Sequence, residues 1–197
     1  GGGGEFRLQR LGTGTLASDN TGTIIAPDDI TSTTSVDEST LGRWIRICDP
    51  GVVNVLWFGA RPDANLSSSA THYDSLASIR KAFESLPKIN SANDESGEPG
   101  HTGVLYFPKI AYPSLNGTNE ANYNRWRTTY YVSDTLVVSQ RITIRGDGFS
   151  NSAIRFLNGV AESSSTEKFV LYFARGGDSG PAGNTTFECG VERISIM

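Results

Sequence analysis

Four carboxylates in the second half of the chain, Asp147, Asp178, Glu188 and Glu192, are the side chains best suited to acid–base work. A polysaccharide hydrolase needs two carboxylates flanking one sugar bond. A lyase needs a base and a group that stabilises the anion formed beside a carboxylate. Nothing in the spacing of these four pairs any two of them, so no catalytic residue can be assigned. Tyr123, Trp126, Tyr130 and Tyr131 form a second group, an aromatic-rich stretch with Asn and Arg interleaved. Aromatic faces pack on the apolar faces of sugars and on cations, so these four are carbohydrate-contact candidates. The same residues would equally serve as a flap over the core or as a subunit contact.

Two short motifs carry less. Gly177-Asp178-Ser179-Gly180 resembles the nucleophile loop of trypsin-like serine proteases. That chemistry needs a positioned His and its orienting Asp. The two histidines, His72 and His101, both lie far upstream of that loop. Arg145-Gly146-Asp147 spells an integrin-binding tripeptide, but Gly-Asp-Gly between two apolar runs is first of all a turn. Asn65-Leu66-Ser67, Asn116-Gly117-Thr118 and Asn184-Thr185-Thr186 match the glycosylation pattern at near-chance frequency for so polar a chain. Cys48 and Cys189 are too few for a disulfide framework and are expected as buried free thiols. No Cys/His spacing suggests a metal, and no cofactor motif is present.

The elements that would position these residues begin with Val52-Val53-Asn54-Val55-Leu56-Trp57-Phe58-Gly59. Apolar residues occupy both parities, which predicts a strand covered on both faces and ended by Gly59. Arg61-Pro62-Asp63-Ala64-Asn65 is turn chemistry. Thr71 with Asp74 three positions later is a helix-start signal. Tyr73, Leu76, Ile79, Phe83 and Leu86 then mark one stripe of an amphipathic helix over 73–86, stopped by Pro87. After it come short apolar runs: 103–108, 130–132, 136–138, 142–144, 153–157, 169–173 and 194–196. Helical periodicity is absent there. Such strands suit a sandwich, a barrel or a parallel coil. Consecutive apolar positions and few hairpin dipeptides favour stacked parallel strands, with the helix covering the apolar end of the stack.

The 197 residues, with 22 Gly and only 19% charged, have the composition of many strands and turns. With a net charge of −4 and no basic run, a nucleic-acid partner is not expected. No apolar run is long enough for a membrane-inserted helix. Residues 1–51 carry brief β-like runs, among them Glu5-Phe6-Arg7-Leu8, 21–26 and Arg43-Trp44-Ile45-Arg46-Ile47. They are expected as a small β-rich connector or anchor segment. Gly at the start and a strand-like run at the end suggest a piece of a longer protein.

Val53-Asn54-Val55-Leu56-Trp57-Phe58-Gly59-Ala60, the turn and helix, Gly103-Val104-Leu105-Tyr106-Phe107-Pro108, Leu136-Val137-Val138, Ile142-Thr143-Ile144-Arg145-Gly146-Asp147-Gly148 and Val191-Glu192-Arg193-Ile194-Ser195-Ile196 follow one another in a familiar order. They resemble the opening of right-handed parallel β-helix proteins of the pectate-lyase superfamily. The lead-in, with Gly3-Gly4-Glu5-Phe6 and Gly42-Arg43-Trp44-Ile45-Arg46, resembles the segment that precedes such a helix in phage tailspikes. The chain departs from the family at Arg61-Pro62-Asp63-Ala64, at His72-Tyr73-Asp74 and after Pro108, all framework positions. The resemblance implies an all-β fold in which 52–197 is the N-terminal cap and first coils of a parallel β-helix. It implies a tailspike or tail-fibre component in the virion tail, a homotrimer beside other tail proteins, that binds or depolymerises a bacterial surface polysaccharide. A secreted or surface lyase or hydrolase is one rival, and a non-catalytic structural or adhesin module is another.

Overall fold

The structure, a computed structural model, describes residues 4–10, 18–26, 42–62, 72–89, 100–110, 128–138, 141–157, 170–173 and 189–196. Among these the chain is mostly strand. The first three, β1 (Phe6–Arg10), β2 (Ile24–Ile25) and β3 (Gly42–Arg46), make an antiparallel sheet in the order β1-β3-β2. Arg46 ties that sheet to the segment containing Trp57. Its guanidinium lies 4.4 Å from the Phe6 ring centre and 4.6 Å from that of Trp57, and its Nε donates to the Gly22 carbonyl at 2.9 Å. Burial pushes its pKa down. Cys48, next to this junction, is an exposed free thiol rather than a buried one.

Strand β4 (Val52–Asn54) is shorter than its apolar sequence predicts. The backbone turns at Val55–Phe58 into a 3₁₀ helix instead of staying extended. Local hydrogen bonding decides this: the Asn54 side chain accepts from the Leu56 N–H, and Gly59 closes the turn at φ +90°. Val55 and Phe58 still reach the core.

Helix α1 (Leu76–Glu84) starts later and ends earlier than the spacing predicts. Ser75 is its N-cap, and the carboxylate of Asp74 accepts from the Leu76 N–H at 3.0 Å and the Ser133 N–H at 3.2 Å. Thr71 lies outside the described residues. Tyr73 therefore precedes the helix and is 43% exposed, with the Arg61 guanidinium 5.0 Å from its ring centre. Leu76, Ile79, Phe83 and Leu86 are all buried. Each such side chain contributes about 1.5–3 kcal/mol on burial.

The remaining strands are β5 (Lys88–Ile89), β6 (Gly100–His101), β7 (Gly103–Phe107), β8 (Thr128–Val132), β9 (Leu136–Val138), β10 (Ile142–Gly146), β11 (Ser152–Phe156), β12 (Leu171–Phe173), β13 (Gly190–Glu192) and β14 (Ser195–Ile196). β5 and β6 form a small antiparallel pair. The others form three parallel sheets, ordered β13-β10-β7-β4, β14-β11-β8 and β12-β9. Strands from β7 onward visit the three sheets in turn, so each sheet grows by one strand per circuit. In the first sheet Val53, Leu105, Ile144 and Val191 stand in register. Asn54, Tyr106, Arg145 and Glu192 make the neighbouring row. Val53, Leu105 and Ile144 are buried, so their row faces the core and the other faces out.

Helix α1 sits at the β4 end of this arrangement, packed on β4, its 3₁₀ extension and β9. The segment leading into α1 also lies along β8: Asp74 bridges Tyr131, and the Ser75 N–H donates to the Tyr131 carbonyl at 2.8 Å. An edge that would otherwise present free backbone groups is thereby occupied.

Candidate functional site

Three turns leave the first sheet on the same side: one after β7 beginning at Pro108, one over Asp147–Asn151 after β10, and one at Arg193–Ile194 after β13. They stack. The Gly148 N–H donates to the Arg193 carbonyl at 2.7 Å, and the Ser195 hydroxyl to the Phe149 carbonyl at 2.7 Å. Parallel strands in register force this, because equivalent positions of successive strands lie about 4.8 Å apart.

Asp147 is the hub of the column. Its Oδ1 accepts from the Tyr106 hydroxyl at 2.6 Å and its Oδ2 from the Lys109 backbone N–H at 2.6 Å. Its carbonyl accepts from Asn151 Nδ2 at 3.1 Å and Arg193 Nη2 at 3.4 Å. Lys109 Nζ donates to Asn151 Oδ1 at 3.2 Å. The Arg145 guanidinium lies 5.6 Å from the Tyr106 ring centre. Burial and the bond to Asp147 push the Tyr106 phenol up to about 12, so it stays a neutral donor.

This geometry limits the chemistry. Both Asp147 oxygens are occupied by donors from its own fold, which suits a structural carboxylate better than a general base. The Arg145-Gly146-Asp147 tripeptide is likewise not displayed as a ligand: its carboxylate is bound internally, and a side chain on Gly146 would come within 2.8 Å of the Arg193 carbonyl. Glu192 is exposed in the outward row next to Arg145. Asp178 and Glu188 lie outside the described residues, as does the 177–180 loop.

The aromatic candidates divide. Tyr123 and Trp126 lie outside the described residues. Tyr130 and Tyr131 are 0% and 1% exposed, which corrects the expectation that their rings offer a sugar-stacking face. Tyr130 points inward, edge-on to Phe107 at 5.2 Å, and its hydroxyl donates to the Pro108 carbonyl at 2.7 Å. Tyr131 stacks on His72 at 3.8 Å. Strand β8 is buried on both faces, so alternation leaves neither tyrosine outside.

The histidines are architectural. The His101 ring lies between the Leu86 carbonyl (Nδ1, 3.2 Å) and the Glu84 carboxylate (Nε2, 3.4 Å), holding β6 to the end of α1. Among the described residues no group of three or more His, Cys, Asp or Glu is placed to hold a metal ion. None of the described helices is long and apolar enough to cross a membrane. The residues that spacing alone passes over are Tyr106, Lys109, Phe149 and Arg193. Aligning the strand-to-turn junctions in register, Tyr106-Phe107-Pro108-Lys109, Arg145-Gly146-Asp147-Gly148 and Glu192-Arg193-Ile194-Ser195, places Tyr106, Lys109 and Arg193 on one stack of turns, with Phe149 next to it in the second turn.

No family model and no curated protein matches this sequence. Among solved structures the chain is similar to the ORF18 protein of Geobacillus virus E2, at 21% identity and a TM-score of 0.41. The likeness covers 74% of this chain and 21% of that one, so the chain spans about a fifth of that protein's length.

Proposed function

We propose that residues 52–197 are the capped opening of a right-handed parallel β-helix, with 1–51 a β-rich connector, in a phage tailspike or tail fibre that engages bacterial surface polysaccharide. One observation carries the fold part: three parallel sheets visited in rotation, each gaining one strand per circuit, with a helix over the first edge. Parallel crossovers are right-handed in nearly all proteins, which sets the hand of the coil. The tail role rests on the sequence resemblance, both of the strand-turn order and of the lead-in with Gly42-Arg43-Trp44-Ile45-Arg46. We favour binding over cleavage within this segment because hydrolysis needs two available carboxylates, and of the two candidates among the described residues Asp147 is engaged by Tyr106 and Lys109, leaving Glu192 alone.

Two measurements on the chain test this reading. Light scattering should return a trimer. Incubation with a panel of bacterial capsular and lipopolysaccharide preparations should show binding without loss of polymer length. A monomer that binds none of them would refute the tail reading, and polymer shortening would restore the enzyme rival.

A further inference from the structure

We propose that the outer edge of β1 pairs with the same edge of a second copy of this chain, antiparallel and centred on Phe6. The sheet order β1-β3-β2 leaves β1 on the outside, and among the described residues no strand pairs with its outer edge. Gly4, Glu5, Arg7, Leu8 and Gln9 are all exposed, and Phe6 is half-buried. The Ile47 N–H donates to the Glu5 carbonyl at 2.8 Å. Backbone groups alternate in direction along a strand, so Glu5, Arg7 and Gln9 turn theirs toward β3. Gly4, Phe6 and Leu8 turn theirs outward. Sheet edges are usually blunted by Pro, by a bulge or by charge. β1 holds no Pro, its register with β3 is unbroken, and the charges that flank Phe6, Glu5 and Arg7, are opposite in sign.

Charge selects both the occupant and the register. Outward groups meet outward groups in an antiparallel pair centred on Glu5, Phe6, Arg7 or Leu8. Centring on Glu5 sets Glu5 against its own copy, and centring on Arg7 does the same for Arg7. Like charges directly opposite destabilise a pair. Centring on Leu8 sets Arg7 against Gln9. The Phe6 centre sets Glu5 against Arg7 of the second copy, and Arg7 against its Glu5. The strand is thus complementary to itself, as a two-fold contact requires. Phe6 then exchanges both backbone bonds with Phe6 of the second copy, Gly4 pairs with Leu8, and the two Phe6 rings meet across the axis. The Arg46 guanidinium, 4.4 Å from the Phe6 ring centre, already holds that ring in place. Paired residues share a face. Leu8, Trp44 and Ile25, in register across the sheet, therefore continue into the second copy as one apolar face. The contact is two-fold: it doubles the mass of whatever carries it, chain or trimer, and builds no three-fold axis.

The test follows the mass of the whole chain by sedimentation velocity from micromolar to millimolar concentration. The mass should double as concentration rises. Glu5→Arg or Arg7→Glu alone sets like charges opposite each other on both sides of the axis, and each should weaken the doubling by about tenfold or more at unchanged melting temperature. The charge-exchanged variant, Glu5→Arg with Arg7→Glu, should restore it. Cross-linking reads the register, in a background of Cys48→Ser and Cys189→Ser that removes both native thiols. Phe6→Cys should then give a disulfide-linked pair, because opposite residues that exchange backbone bonds stand about 5.5 Å apart at Cα. Leu8→Cys should not, because its copies lie about 13 Å apart along the strands. A mass independent of concentration, or a Phe6→Cys chain that does not cross-link, would overturn the contact and leave the tail reading, which rests on trimer mass and glycan binding, untouched. Doubling that survives both single charge reversals, or a Leu8→Cys pair as ready as the Phe6→Cys one, would place the copies elsewhere or in another register and would overturn it as well.

Discussion

At the scale of single residues, two positions make quantitative demands. Gly103 has φ +128°, and a Cβ there would collide with the Gly51 carbonyl oxygen. Gly51 has φ +80° but open space around the missing Cβ, the nearest atom being 3.9 Å away. Gly103→Ala should therefore cost about 2–4 kcal/mol, combining clash and backbone strain. Gly51→Ala should cost only about 1 kcal/mol, for the left-handed backbone alone. Urea denaturation of the two variants decides it, and equal losses would refute the close approach. Tyr106 gives the second demand. Its folded pKa of about 12 exceeds its ordinary value of 10, so its stabilising contribution is complete below pH 10. That contribution is lost as pH rises from about 10 to 12. Phenolate absorbance should show one tyrosine ionising late in that window, and Tyr106→Phe should abolish both the late step and its share of the alkaline destabilisation. The sequence displayed the turn chemistry at Asp147 but not its partner. Tyr106 is 41 positions away and meets Asp147 only because β7 and β10 pair in register.

Elements were legible wherever a hydrophobic period ran long enough. The stripe of α1 is one such case. Phe83→Asp would place an unpaired carboxylate in the core beside Ile79 and should destabilise by several kcal/mol. Thermal melting checks this, and a neutral result would mean the helix does not cover the core. Element boundaries were less legible. Val55–Phe58 is as apolar as a strand, and only the Asn54 side chain and Gly59 direct it into a 3₁₀ helix. The Thr71 and Asp74 signal with Tyr73 on the stripe predicts a start near 73, whereas the helix is capped by Ser75, so a capping signal alone does not fix the first turn. Strand β8 shows the limit of alternation: with both faces buried, Tyr130 and Tyr131 carry no period that separates core from surface.

At the scale of the molecule, the stacking of parallel strands was readable from composition and run length, because consecutive apolar positions suit strands covered on both sides. The association of the turns was not, since it depends on which level each strand occupies. The order of the elements along the chain also shapes the life of the nascent polypeptide. Helix α1 precedes in sequence β9, on which it packs, and β10, whose Ile142 and Ile144 share its core. A ribosome adding about 5–20 residues per second releases Ile79, Phe83 and Leu86 several seconds before Leu136, Ile142 and Ile144 exist to receive them. Throughout that interval the helix has only β4 and the Val55–Phe58 turn of its own chain to pack on, so part of its apolar face stays uncovered, and the greatest danger of clumping, with the greatest need for a chaperone, falls early in translation.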